Sequence, residues 1–240
     1  MALELRNLEL TSQTSIFSFG GLTTINGNFT VQSTGASPSA SSMLLLTNSS
    51  TLTTTVSGNL SITGGYFAPF GGNTSGNCIL NVSGNLSLAS GTFDIFRQAS
   101  NSGTINLSGD FSMTSGTLTK GGSGTGNFNF SKTGTQTYSK SAGTISNAIN
   151  FTVNNGSILS LGSSVIDGST GTFTLSSGAG LITSNSDGIS TSGSNGSIQV
   201  KVIGTIGQED MTISFNFETE LGFFVFLFLK IFAQEENIYI

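Results

Sequence analysis

The chain has 240 residues, no His, two Pro and one Cys; seven Lys and Arg stand against twelve Asp and Glu, a net charge of −5. Only 8% of its residues are charged, against roughly 25% in ordinary soluble domains. The cations between Leu10 and Val200 are Arg97, Lys120, Lys132 and Lys140; scattered as they are, they exclude the basic cluster that nucleic acid or an anionic membrane surface requires.

The first ten residues, MALELRNLEL, lack the basic start and long apolar stretch of a signal peptide. Residues 1–21 are expected to form an N-terminal edge or cap. An export address, if the protein has one, would then lie on a longer parent chain.

From Leu22 to Val200 the chain repeats itself. Gly27-Asn28-Phe29-Thr30-Val31 returns as Gly58-Asn59-Leu60-Ser61-Ile62, Gly84-Asn85-Leu86-Ser87-Leu88 and Gly109-Asp110-Phe111-Ser112-Met113. A second, apolar-x-apolar word precedes these, as in Leu80-Asn81-Val82 and Ile105-Asn106-Leu107. Taking Ile25, Val56, Val82, Leu107, Phe130, Phe151, Leu175 and Val200 as markers gives steps of 31, 26, 25, 23, 21, 24 and 25, a mean of 25. Eight copies exceed the three or so that a repeat fold needs to bury its faces.

Inside each copy apolar residues alternate with Ser, Thr or Asn, the period-two pattern of strands with one buried face. Each run is short and ends in Gly, Ser-Gly or Asn-Gly, which turn the chain. The clearest copy holds three runs, Leu80–Val82, Leu86–Leu88 and Phe93–Ile95. Three short strands and three bends in about 25 residues make a triangular coil. The expected fold is all-β, a parallel β-helix (β-solenoid) of about eight coils. The alternative is a β-sandwich, which also has short alternating strands but seldom repeats the same words at one period. Cys78 reads as a small apolar filler in a buried strand, and a lone cysteine makes no intrachain disulfide.

The residues offer little chemistry. Without His there is no Ser-His-Asp or Cys-His nucleophile and no imidazole ligand for a metal. No GxxxxGK[ST] phosphate loop occurs. The repeat region holds the acids Asp94, Asp110, Asp167 and Asp187. A glycosidase or lyase needs juxtaposed acids, yet Asp94 is matched by Thr119 one coil later, Asp110 replaces the Asn of other copies at a bend, and Asp187 precedes Gly188 in a turn. Gly121–Phe128 (GGSGTGNF) approaches the calcium nonapeptide, but Gly126 stands where that motif needs its Asp. No catalytic, cofactor-binding or metal-binding residue and no cofactor are expected. Thr-x-Thr pairs at Thr51/Thr53, Thr53/Thr55, Thr117/Thr119, Thr133/Thr135/Thr137 and Thr172/Thr174 suit outward strand faces. Asn-x-Ser/Thr triplets, as at Asn59 and Asn81, follow from composition.

The runs VSGNLSLASGTF (Val82–Phe93), TINLSGDFSMTSGTL and KTGTQTYSKSAGTISNAINFTVNNGSILSLGSS (Lys132–Ser164) resemble repeat regions of large exported proteins of Bacteroidetes-type bacteria. Those proteins are adhesin-like or autotransporter-passenger-like, with parallel β-helix folds. The resemblance implies a structural or adhesive module, at the cell surface or secreted, whose partners are extracellular glycans or proteins, and it supplies no catalytic residues. Two alternatives stay open: a fragment of a carbohydrate-active β-helix enzyme, and a module binding glycan or ice on a flat outer face.

After Val200 the pattern stops. Glu is absent between Leu10 and Val200, then appears at positions 209, 218, 220, 235 and 236. Seven of the 19 Phe fall in the last 40 residues, and Leu221–Phe232 is strongly apolar. Twelve residues with Lys230 among them are too few for a membrane span, which takes about 20. Residues 201–240 read as a cap on the last coil or as a non-native reading of the gene.

Overall fold

The alternation seen in the sequence becomes strand geometry. In Cys78–Val82 the side chains of Cys78, Leu80 and Val82 are buried, and Ile79 and Asn81 between them face outward. Ser102–Leu107 and Thr125–Phe130 repeat the arrangement with Ile105, Leu107, Phe128 and Phe130 inside. The computed structural model describes residues 4–5, 8–10, 17–32, 34, 44–46, 51–71, 76–97, 100–168, 170–185, 188, 196–203 and 213–215. Among them are strands and no helix.

Strands pair in parallel with the strand three places further along the chain as far as Ile149–Val153 and Ser157–Gly162, and two places further along after that. Three sheets result. Sheet A stacks Glu4–Leu5, Thr24–Ile25, Thr53–Val56, Cys78–Val82, Ser102–Leu107, Thr125–Phe130, Ile149–Val153, Thr172–Leu175 and Lys201–Ile203. Sheet B stacks Leu8–Leu10, Phe29–Val31, Leu60–Ile62, Leu86–Leu88, Phe111–Met113, Gly134–Lys140, Ser157–Gly162, Gly180–Thr183 and Ile213–Phe215. Sheet C holds Phe17–Ser18, Leu44–Leu45, Tyr66–Phe67, Thr92–Asp94, Thr117–Thr119 and Thr144–Ile145. This is a parallel β-solenoid, not a β-sandwich, whose hairpins would pair antiparallel.

The repeated words lie directly over one another. Phe29, Leu60, Leu86 and Phe111 are successive partners. So are Ile25, Val56, Val82, Leu107 and Phe130. Beyond Phe130 the expected marker was one pleat out: Phe130 pairs with Val153, and Phe151 stacks between Phe128 and Phe173. Both Phe151 and Val153 are buried, so hydrophobicity alone does not distinguish the two registers.

The core runs along the axis as columns of like side chains. Phe67 and Phe93 stack with ring centres 5.4 Å apart, and Phe111 and Tyr138 stack at 5.1 Å. Each such buried side chain contributes roughly 1.5–3 kcal/mol, with a further increment of about 0.5–1.5 kcal/mol for each aromatic pair.

The expected count of about eight coils is refined by the strand order. Among the described residues sheets A and B have nine strands each and sheet C has six, so six coils have all three sides. After Ile145 the third side continues, among the described residues, as a bridge between Ile166 and Ile198. The change begins at Gly134–Lys140, which pairs with Phe111–Met113 through Tyr138–Lys140 but with the next coil through Gly134–Thr137. Gln136 points inward there, and its Nε2 donates to the Leu107 carbonyl at 3.0 Å. A buried amide is tolerated because it has such a partner.

The expected N-terminal edge contributes strands in register: Glu4–Leu5 pairs with Thr24–Ile25 and Leu8–Leu10 with Phe29–Val31. The ladders also pass Val200, since Lys201–Ile203 and Ile213–Phe215 join sheets A and B. The apolar run at 221–232 lies outside the described residues, as does Asp187.

Candidate functional site

The outward side chains form ladders, because identical residues recur one coil apart. On sheet A, Asn106 Nδ2 donates to Asn81 Oδ1 at 2.9 Å, and Asn129 Nδ2 donates to Asn106 Oδ1 at 2.8 Å. A second column lies two residues away on the same strands. There Asn127 Nδ2 donates to Thr104 Oγ1 at 3.3 Å, Asn150 Nδ2 to Asn127 Oδ1 at 3.4 Å, and Thr172 Oγ1 to Asn150 Oδ1 at 2.9 Å.

A third ladder runs down the corner between sheets A and B. Asn28 Oδ1 accepts the Asn59 N–H, Asn59 Oδ1 the Asn85 N–H, and Asn85 Oδ1 the Asp110 N–H, each at 2.8 Å. Asp110 Oδ1 then accepts the Thr137 N–H at 3.0 Å. The Asn of the repeated word is thus a turn residue whose side chain caps a backbone donor in the next coil. On sheet B the outward column is Thr30, Ser61, Ser87, Ser112 and Ser139.

The acids sit apart from one another. Asp110 meets Lys132 Nζ at 3.1 Å, and Asp167 meets Lys140 Nζ at 3.0 Å. Desolvation pushes the Asp110 carboxyl up, but the Thr137 N–H and the Lys132 ammonium outweigh it and hold it below the usual carboxylate range. Asp94 is fully buried and, as the spacing predicted, pairs with Thr119 in the next coil. Its carboxylate accepts the Tyr66 hydroxyl and the Gly121 N–H and lies 3.5 Å from Arg97 Nε. The Arg97 guanidinium also covers the Tyr66 ring at 5.7 Å. Burial pushes the Asp94 carboxyl above its usual range, and these contacts offset only part of that. The same burial pushes the Tyr66 phenol up.

This cluster was missed in the sequence. Its one signal was the period, which sets Tyr66 opposite Thr92 and so two residues from Asp94. A buried carboxylate of raised pKa is a familiar mark of a catalytic acid. Here its partners are a phenol, a guanidinium and backbone N–H groups, with no second acid.

In comparisons with known proteins, no family model, curated protein or solved structure matches the chain.

The remaining sequence candidates fall in separate places. In the glycine-rich segment Gly121–Phe128, the Lys120 ammonium donates to the Gly124 carbonyl at 2.8 Å, so a side-chain cation lies where a loop carbonyl faces inward. Among the described residues, no three of Cys, Asp and Glu converge as metal ligands would. Cys78 is buried, and burial pushes its thiol up, the state of an unreactive core cysteine. The Thr-x-Thr pairs are divided between faces: Thr53/Thr55 and Thr172/Thr174 lie on sheet A, Thr117/Thr119 on sheet C and Thr135/Thr137 on sheet B.

Proposed function

We propose that this chain is a structural, adhesive repeat module of a secreted or cell-surface bacterial protein and catalyses no reaction itself. The observation that carries this reading is the direction of its polar side chains. On sheets A and B, among the described residues, they bond from coil to coil along the axis and do not converge on one point, as groups that act on a substrate must. The product of such bonding is a continuous stack of coils, suited to spacing or attachment. Extracellular glycans or proteins are the partners this reading implies.

The Asp94 cluster favours a second reading, a carbohydrate-active β-helix enzyme. Against it stands the absence of a second carboxyl beside Asp94 among the described residues, since glycoside hydrolysis works with two. Incubating the full chain with acidic and neutral polysaccharides and measuring new reducing ends separates the two. The structural reading expects none. Reducing ends that appear with the wild type and vanish with Asp94→Asn would replace it with the enzymatic one.

A further inference from the structure

We infer that the outer face of sheet A is the adhesive face and that its ligand is an uncharged, extended polysaccharide lying along the solenoid axis; this rests on the adhesive reading above. The first observation is the distribution of charge. Between Phe17 and Val200 the charged residues described are Asp94, Arg97, Asp110, Lys120, Lys132, Lys140 and Asp167, and none lies in a strand of sheet A. Sheet C and its corner carry the Tyr66–Asp94–Arg97 cluster, Lys120 lies at the corner between sheets C and A, the Lys132–Asp110 pair at the corner between sheets A and B, and the Lys140–Asp167 pair beside sheet B. The strands of one of the two longest faces are therefore uncharged along that stretch, and ionic groups stand only at its corners among the described residues. A polyanion or polycation finds no counter-charge there, whereas a neutral chain pays no ion desolvation on docking.

The second observation is the state of the amides. Asn106 and Asn127 each give one N–H to the previous coil and receive one bond from the next at the side-chain oxygen. A primary amide has two N–H donors and two lone pairs, so each keeps one donor and one acceptor beyond the ladder. The ladder fixes the rotamer, and the ordering cost of presenting those groups is met before any ligand arrives. Sugar hydroxyls both donate and accept, which matches that pairing.

The third observation is the lattice. Two columns run side by side, Thr104-Asn127-Asn150-Thr172 and Asn81-Asn106-Asn129-Thr152-Thr174. Coils repeat at about 4.8 Å and alternate residues along a strand at roughly 6.8 Å. A pyranose chain in extended form advances by a comparable length per ring, so successive rings meet successive coils. No aromatic ring stands in either column, so each contact is weak and affinity accumulates over many coils. The face selects long chains over short oligosaccharides.

The test is co-sedimentation of the full chain with insoluble cellulose and with insoluble chitin, both uncharged extended chains. The wild type is expected to pellet with at least one of them, and soluble tetrasaccharides are expected not to compete. Asn127→Ala/Asn129→Ala should weaken retention at least about tenfold, the effect of losing two bonding groups. Thr174→Lys, a surface change that leaves the amide ladder whole, should weaken it too, and Ser87→Ala/Ser112→Ala on sheet B should not. Circular dichroism establishes that each variant is folded. Failure to bind either polymer, equal loss in the sheet B variant, stronger retention on alginate, or thermal hysteresis in ice without polymer binding would each overturn the inference. If the wild type binds neither polymer yet adheres to a protein-coated surface, the adhesive reading stands and the assignment of this face to glycan falls.

Discussion

The Asn85 side-chain oxygen accepts the backbone N–H of Asp110, 25 residues later, at 2.8 Å. The Asn85 N–H is itself held by Asn59 Oδ1 at the same distance. Each coil thus positions the turn of the next with a side chain. Asn85→Ala removes that acceptor and leaves the Asp110 N–H to solvent. A loss of about 0.5–1.5 kcal/mol is expected, read as a lowered urea midpoint with an unchanged slope. An unaltered midpoint would mean that water replaces the amide without loss.

The two faces of Leu86–Leu88 should respond oppositely to charge. Leu86 is fully buried between Leu60 and Phe111, whereas Ser87 faces outward and bonds Ser61 at 3.1 Å. Leu86→Asp places a carboxylate in the core without a partner, and the strand signal in circular dichroism should be lost. Ser87→Asp should melt within a few degrees of the wild type.

Coil spacing makes a separate demand at Gly84. A Cβ on this residue would stand 2.6 Å from the Gly58 carbonyl oxygen and 2.7 Å from its carbon. Gly84→Ala must therefore push two coils apart, at a cost of about 1–3 kcal/mol by analogy with overpacked cores. At Gly134 nothing lies within 4 Å of the same position, and the constraint is its φ of +84°. Gly134→Ala should cost about 1–2 kcal/mol through the left-handed backbone alone, and Gly134→Asn less. Chemical denaturation of the variants checks the ordering.

Asp94 and Asp110 should act on stability with opposite sign. The folded state raises the Asp94 carboxyl, so it favours the protonated form. That contribution is complete below the unfolded value near 3.8 and is lost as pH rises through the higher folded one. The folded state lowers Asp110, whose contribution is present above 3.8 and is lost as pH falls through its folded value. Thermal melts at pH 2, pH 4 and pH 7 should show Asp94→Asn gaining most at pH 7, where it removes a buried charge. Asp110→Asn should lose stability at pH 7 and little at pH 2. A pH-independent effect of Asp94→Asn would mean that the carboxyl titrates alike in the folded and unfolded chain, against a raised folded value.

Much of the solenoid was legible before any coordinates, and the reason is physical. A strand period of two with Gly-Asn words every 25 or so residues specifies which side chain is inside and where the chain turns. Stacking then places like residues in one column, as with Leu60, Leu86 and Phe111. The pairing of Asp94 with Thr119 and the scattering of the acids follow from the same arithmetic.

Only the tertiary structure decided matters that depend on register and on which face a residue shares. Phe151 and Val153 are equally good core residues two positions apart, and the ladder alone assigns Val153 to the Phe130 column. Gln136 turns inward where sheet B shifts register, and its Nε2 meets the Leu107 and Gly109 carbonyls there. Tyr66, Asp94 and Arg97 meet only when the coil closes. The uncharged run of sheet A strands from Thr24 to Leu175 is likewise unreadable in a linear chain, where its Asn and Thr are interleaved with those of the other faces. Composition set the chemistry available to the surface, and the winding of the coils sorted it onto separate sides.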